Sequence, residues 1–247
     1  MYYNIDSIKI DIRKSINNNY RLALLFNGNS MSVFYSTDYN LNIKKIISNT
    51  IGSDNWLWEA SDFFRFNNNG SLNSIILTIP NENISIRNLY MPHFISYTLN
   101  LVEIPQCCII KKMQTRFFDL ASRKLICIRN DRDFIDNKKV IMLNNNFGLI
   151  FNNKSYVGYI LIDPLRFLTN SYSYSDLIKE EPTSIEYSIF NLYLKIVSDN
   201  NLKRHNNSIE DMMKDIKEII IPKLSTINTK RIEIIKKELN ELIDFWL

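Results

Sequence analysis

Four times in its first two thirds the chain sets two apolar runs on either side of a short polar break, and this repetition constrains the fold more than any other feature. In RLALLFNGNSMSVFY, from Arg21 to Tyr35, the break is Asn27-Gly28-Asn29-Ser30. Asn-Gly accepts the positive φ angles of a tight turn, so strand, turn, strand is predicted. DFFRFNNNGSLNSIILTI, from Asp62 to Ile79, repeats the plan: Gly70 can take a positive φ, and Pro80, which has no N–H for a ladder, ends the second strand. Arg116 to Arg129, RFFDLASRKLICIR, splits at ASRK and reads as a third hairpin, with a helix as the alternative. Phe147 to Ile162, FGLIFNNKSYVGYILI, is the fourth.

LALLFNGNSMSVFY resembles FGLIFNNKSYVGYI, and DFFRFNNNGSLNSIIL resembles RFFDLASRKLICIR, with the two types in opposite order along the chain. A duplication explains this, and so does the general similarity of hairpins made of aromatic and aliphatic residues.

Beyond Pro164 the period becomes helical. Thr183-Ser184-Ile185-Glu186 is a capping box, and Ile185, Ile189, Leu192 and Ile196 follow at spacings that share one face. Ser208-Ile209-Glu210-Asp211 opens a further helix with Ile209, Met212, Ile216 and Ile219 on its face and Pro222 as its break. A last helix from about Lys230 carries Ile232, Ile235, Leu239, Leu242 and Trp246. These stripes are core or docking faces. The fold class expected is α+β: an antiparallel, hairpin-rich body over 1–172 and a helical C-terminal region over 173–247. The polar stretch NSYSYS, Asn170 to Ser175, is either a linker or a turn into a packed helix, so one domain and two lobes are both open.

Length and composition support a packed core: 247 residues, 45% hydrophobic and 23% charged, lie within the globular range. Only 5 glycines accompany abundant Asn, Ile and Lys, so Asn runs such as Asn67 to Asn69 and Asn144 to Asn146 read as turns within a biased composition. MYYNIDSIKIDIRK holds Asp6, Lys9 and Asp11 where a secretory leader needs apolar residues, and no run is long enough to span a bilayer. Cys107, Cys108 and Cys127 have neither disulfide nor metal spacing, so a cytoplasmic location is expected.

Charge is uneven. Between Gln106 and Val140 nine basic residues (Lys111, Lys112, Arg116, Arg123, Lys124, Arg129, Arg132, Lys138, Lys139) face four acidic ones, which exceeds the net charge of +4 on the whole chain. Phe117, Phe118 and Phe134 are interleaved there, as in single-strand nucleic-acid sites, but the interspersed Asp residues favour a solvated sheet face or an acidic protein partner.

Motifs for chemistry are few. Five scattered glycines make neither type of phosphate-binding loop, and His93 and His205 lie far apart without ligand spacing, so neither cofactor nor metal is expected. Cys107 and Cys108 adjoin Ile109 and Ile110 and read as buried thiols. Glu59 and Asp62 could share a helical face as an acid–base pair, while Trp56 and Trp58 alternate about Leu57 as a strand would. No Glu-X-Lys triplet follows on the next strand to complete a metal-dependent nuclease motif. The corner reads first as a contact surface and second as an active site.

FGLIFNNKSYVGYILIDPLRFL, Phe147 to Leu168, and DFFRFNNNGSLNSIILTIP resemble bacterial immunity proteins of polymorphic-toxin and contact-dependent growth inhibition systems, cytosolic α+β domains with aromatic-rich strands and short polar turns. The resemblance implies a toxin inhibitor that binds a cognate toxin domain and occludes its active site, with no catalysis of its own. Many immunity proteins against nucleases are acidic, whereas this chain is net positive. Two contact patches are expected: Trp56, Trp58, Glu59 and Asp62, and Arg116, Arg123, Lys124, Arg129 and Arg132. The alternative is an enzyme acting on nucleic acid through Glu59, Asp62 and the basic 106–140 segment.

Overall fold

The structure, a computed structural model, describes residues 2–14, 19–27, 30–38, 43–53, 62–85, 97–104, 108–130, 138–171, 178–198 and 213–246. The chain opens with β1 (Tyr2–Ile5), β2 (Ile8–Lys14), β3 (Arg21–Asn27) and β4 (Ser30–Ser36), then α1 (Ile43–Asn49) and β5 (Ile51–Gly52). Next come β6 (Phe63–Phe66), β7 (Leu72–Ile79), β8 (Glu82–Asn83), β9 (Tyr97–Leu101), β10 (Thr115–Asp119) and β11 (Lys124–Ile128). The β-rich part closes with β12 (Lys138–Met142), β13 (Phe147–Asn152), β14 (Ser155–Ile162) and, after a 3-10 turn at Pro164–Phe167, β15 (Leu168–Thr169). The helical region holds α2 (Ser184–Ile196), a π turn (Ile216–Ile220), α3 (Ile221–Leu224) and α4 (Lys230–Trp246). The fold is α+β, with the helices other than α1 gathered after the strands.

All four expected hairpins form: β3 with β4, β6 with β7, β10 with β11, and β13 with β14. The described turns use the expected chemistry. Asn153 and Lys154 both take positive φ (46° and 70°), as a two-residue hairpin turn requires. Gly70 sits at φ 81°, and its carbonyl accepts the Leu101 amide at 2.7 Å. Asn144 Oδ1 accepts the Asn146 and Phe147 amides at 2.8 and 2.7 Å, so this Asn run serves as a turn.

The hairpins assemble in the same way twice. In a six-stranded sheet, ordered β15-β3-β4-β7-β6-β5, the second strands β4 and β7 lie side by side antiparallel. In a nine-stranded sheet, ordered β8-β10-β11-β14-β1-β2-β9 with β13 and β12 beyond β14, the second strands β11 and β14 do so. The hairpin types that resemble each other in sequence thus hold equivalent places in different sheets.

Alternate residues of both sheets enter one continuous apolar cluster: Leu22, Leu24 and Phe26 of β3 and Val33 and Tyr35 of β4 from one sheet, Leu125, Cys127, Tyr159 and Leu161 from the other. Hydroxyls stitch the layers, Tyr35 donating to the Leu143 carbonyl at 3.0 Å and Tyr159 to that of Thr78 at 2.9 Å. The opposite faces are buried too, in smaller clusters around Phe34 and Phe63 and around Ile126 and Ile160. Burial on both faces explains why LALLF and YVGYILI read as continuous apolar runs rather than alternating ones. Tyr187, Phe190, Leu194, Ile235 and Leu239 of the helices belong to the main cluster, so strands and helices share one core.

The α2 capping box is present, with the Thr183 hydroxyl accepting the Glu186 amide and the Glu186 carboxylate accepting the Thr183 amide. Its buried face corrects the expected stripe. Tyr187, Phe190, Tyr193 and Leu194 point inward with Ile196, whereas Ile185 and Leu192 are 60% and 41% exposed. Aromatic area decides this: Tyr193 stacks on Phe26 at 5.1 Å between centroids, and Phe190 meets Phe118 edge-on at 5.3 Å. Pro222 does not end its helix either, because it occupies the first turn of α3, where a missing N–H costs little. The wider π turn before it rotates the face, leaving Ile216 buried and Ile219 48% exposed. The expected start at Ser208 to Asp211, with Ile209 and Met212, lies outside the described residues. In α4, Ile232, Ile235, Leu239 and Leu242 are buried as expected, and the Trp246 side chain lies outside the described ones.

Candidate functional site

The residues singled out from sequence separate in the structure. Arg116, expected on a contact surface, is 0% exposed. Its Nε donates to Asn83 Oδ1 at 2.8 Å and its Nη2 to the Leu194 carbonyl at 2.6 Å, which also accepts Asn83 Nδ2 at 2.9 Å. Leu194 lies in the last turn of α2, where carbonyls lack helical partners, so Arg116 is a buried cap on the negative end of that helix. Asp62 is likewise 0% exposed, and its Oδ1 accepts the Thr78 amide at 2.9 Å. Burial pushes its carboxyl up to about 7, with the Thr78 amide working the other way. Neither side chain presents itself to a partner or a polymer.

Arg129 forks onto Asp6, with contacts of 2.6 and 3.1 Å, and Asp6 also accepts the Lys111 amide at 2.9 Å. This ties the β1–β2 turn to the end of β11. Arg123 and Lys124 remain at the surface. Arg123, at the β10–β11 turn, lies over the Tyr187 ring at 4.7 Å and 4.0 Å from Asp163 Oδ1, which accepts the Tyr187 hydroxyl at 3.1 Å. Lys124 starts β11 opposite Asp119, whose carboxyl is held low by the Ser122 hydroxyl. Trp56, Trp58, Glu59 and Arg132 lie outside the described residues, as do His93, His205 and Cys107. Cys108 and Cys127 are buried, and burial pushes the Cys127 thiol up to about 12, which keeps it protonated and unreactive.

One arrangement escaped the sequence. A cavity of about 350 Å³ opens where α2 and α4 begin, lined by Ile178, Glu180, Glu181, Thr183, Glu186, Asn228, Thr229, Lys230 and Arg231. The helices run parallel: Glu186 near the start of α2 meets Arg231 near the start of α4, and Tyr193, two turns on, feels the carboxylates of Glu238 and Glu241. Glu186 accepts the Thr183 amide at 2.6 Å and the Thr229 hydroxyl at 2.9 Å. Arg231 donates to the carbonyls of Leu165 and Glu180 at 2.8 and 2.5 Å. Burial alone would raise the Glu186 carboxyl, but the Thr183 amide, the Thr229 hydroxyl and the Arg231 cation hold it below its ordinary value. It is therefore a fixed anion at two helix N-termini, suited to holding structure and unsuited to giving up or taking a proton near neutrality. The capping box revealed Glu186 in the sequence, but Arg231 looked like one more cation in the run Lys230-Arg231.

Comparisons with known protein families, curated proteins and solved structures found no match. Among the described residues, no cluster of three or more His, Cys, Asp or Glu side chains could hold a metal ion, and no helix is long and apolar enough to cross a membrane.

On α2, Ile185 and Leu192 stand outward one helical face away from the buried aromatics. Arg123 is anchored on Tyr187, which belongs to the buried face of the same helix.

Proposed function

We propose that this chain is an immunity-type protein that binds a cognate bacterial toxin domain and covers its active site. The observation that supports it is the outward apolar pair Ile185 and Leu192, which share one face of a helix whose other face is locked into the core. Large aliphatic side chains held rigidly in water lose little conformational entropy when a partner covers them. An apolar centre is the anatomy of a protein interface, and the partly exposed cations Arg123 and Lys124 at the start of β11 favour a partner with acidic groups. Asp62 and Arg116 have no part in this surface, because both are consumed inside the fold.

The test is co-expression with the product of the neighbouring reading frame, read as protection of growth and as co-purification. Ile185→Asp combined with Leu192→Asp is expected to weaken the complex at least tenfold while leaving the melting temperature within a few degrees. Absence of both protection and complex with the wild-type protein would sink the reading.

A further inference from the structure

Asp62 stands at the seam between the two sheets. Its amide donates to the Ile110 carbonyl at 3.0 Å, a main-chain bridge from the start of β6 to the segment that leads into β10. Its Oδ1 accepts the Thr78 amide of β7, and the Thr78 carbonyl accepts the Tyr159 hydroxyl of β14. One residue thereby joins strands of both sheets. Its second oxygen, Oδ2, is buried with no hydrogen-bond partner among the described residues, and so is the Tyr156 hydroxyl.

We propose that the Asp62 carboxyl is a proton-operated latch on this seam, closed while neutral and released when its proton passes to solvent. A neutral carboxyl with one oxygen anchored can remain in the dry interior, whereas a carboxylate leaves a charge with an unsolvated oxygen there. The groups that act on it are Lys112 and Arg129, which favour the charge, and Asp6, which opposes it. Tyr156, Tyr159 and Cys127 also feel Asp62, and none of these three carries a positive charge to offset it. Arg129 is already committed to Asp6 by its fork. The field of Lys112 and Arg129 is outweighed by burial, and the carboxyl is pushed up to about 7, inside the range that cells and compartments traverse.

The sign follows from linkage. In the open seam Asp62 regains an ordinary carboxyl, near 4, so opening releases a proton between that value and the closed one. Opening is therefore suppressed in acid and becomes easier as pH rises towards 7, after which it levels off.

The experiment is amide hydrogen exchange of the full chain from pH 5 to 8, with rates converted to opening constants, together with carbon-13 titration of the Asp62 carboxyl in the wild-type protein. The amides of Asp62 and Thr78 are expected to open about tenfold more per pH unit between pH 5 and 6.5 and to plateau above pH 7. The β3–β4 ladder should show no such slope, and Asp62→Asn should abolish it. The carboxyl should titrate near 7. A carboxyl midpoint near 4, an equal slope throughout the β3–β4 ladder, or a slope that survives in Asp62→Asn would each overturn the latch. The titration needs no variant, so it decides even if Asp62→Asn fails to fold.

Discussion

The carboxylate of Glu186 lies 3.6 Å from the guanidinium of Arg231, and both side chains are 2% exposed. Two charges that deep persist only because each is satisfied several times over, by the Thr183 amide and Thr229 hydroxyl on one side and by backbone carbonyls on the other. Removing one partner strands the other. Arg231→Ala is expected to cost about 3–5 kcal/mol in urea denaturation, and replacing both residues by apolar ones less than twice that. Because the folded Glu186 carboxyl is held below its unfolded value, its contribution is present above pH ~4.5 and lost as pH falls further. The acid limb of the stability curve should flatten in Glu186→Gln.

Glu238 behaves oppositely. It is 4% exposed, its Oε2 has no hydrogen-bond partner among the described residues, and burial together with the nearby Glu241 pushes it up to about 7. Its folded state keeps a proton that the unfolded chain gives up above pH ~4.5, so stability declines as pH rises from there to about 7. Glu238→Gln removes the charge and should gain about 1–2 kcal/mol at pH 8 and almost nothing at pH 4.5, measured by thermal melts at both values.

Arg116 tests the helix cap. Arg116→Met keeps the bulk and removes the donors that serve Asn83 and the Leu194 carbonyl. A loss of about 2–4 kcal/mol is expected, with faster exchange of amides in the last turn of α2. Arg116→Lys should rescue less than half, since one ammonium cannot reproduce the fork.

Gly70 tests the turn. At φ 81° a side chain is strained, and a Cβ there would stand 3.3 Å from the Leu101 carbonyl oxygen. Gly70→Ala should cost about 1–2 kcal/mol and, because Leu101 donates to Gly70, loosen β9 more than β3 in exchange measurements.

The hairpins were legible in the sequence because their signals are local. Asn27-Gly28 and Asn153-Lys154 specify a turn within a few residues, and Thr183 with Glu186 specifies a helix start in the same way. Orientation was less legible. The aliphatic stripe of α2 and its aromatic stripe have the same period, and only the presence of Phe26 and Phe118 across the core chooses Tyr193 and Phe190 over Ile185 and Leu192. Arg116, Asp62 and Arg231 were least legible, since a charged side chain inside the fold is recognised by the distant carbonyl or amide that satisfies it. Leu194 lies 78 residues from Arg116 along the chain, and Leu165 lies 66 from Arg231. For the surface, composition points to Arg123 and Lys124, whereas the period of Ile185 and Leu192 is compatible with a core face and a docking face alike.

β1 lies parallel to β14, with Asn4 opposite Ser155. On a ribosome adding about 5–20 residues per second, the opening strand emerges on the order of ten seconds before its neighbour exists. Through that interval Tyr3, Ile5, Ile8 and Ile10, all destined for the core, lack the β14 side chains Tyr156, Tyr159 and Leu161 that share their cluster. Closing the sheet between β1 and β14 therefore waits for the whole stretch from Asn4 to Ser155 to be made, a non-local pairing of the kind that slows folding.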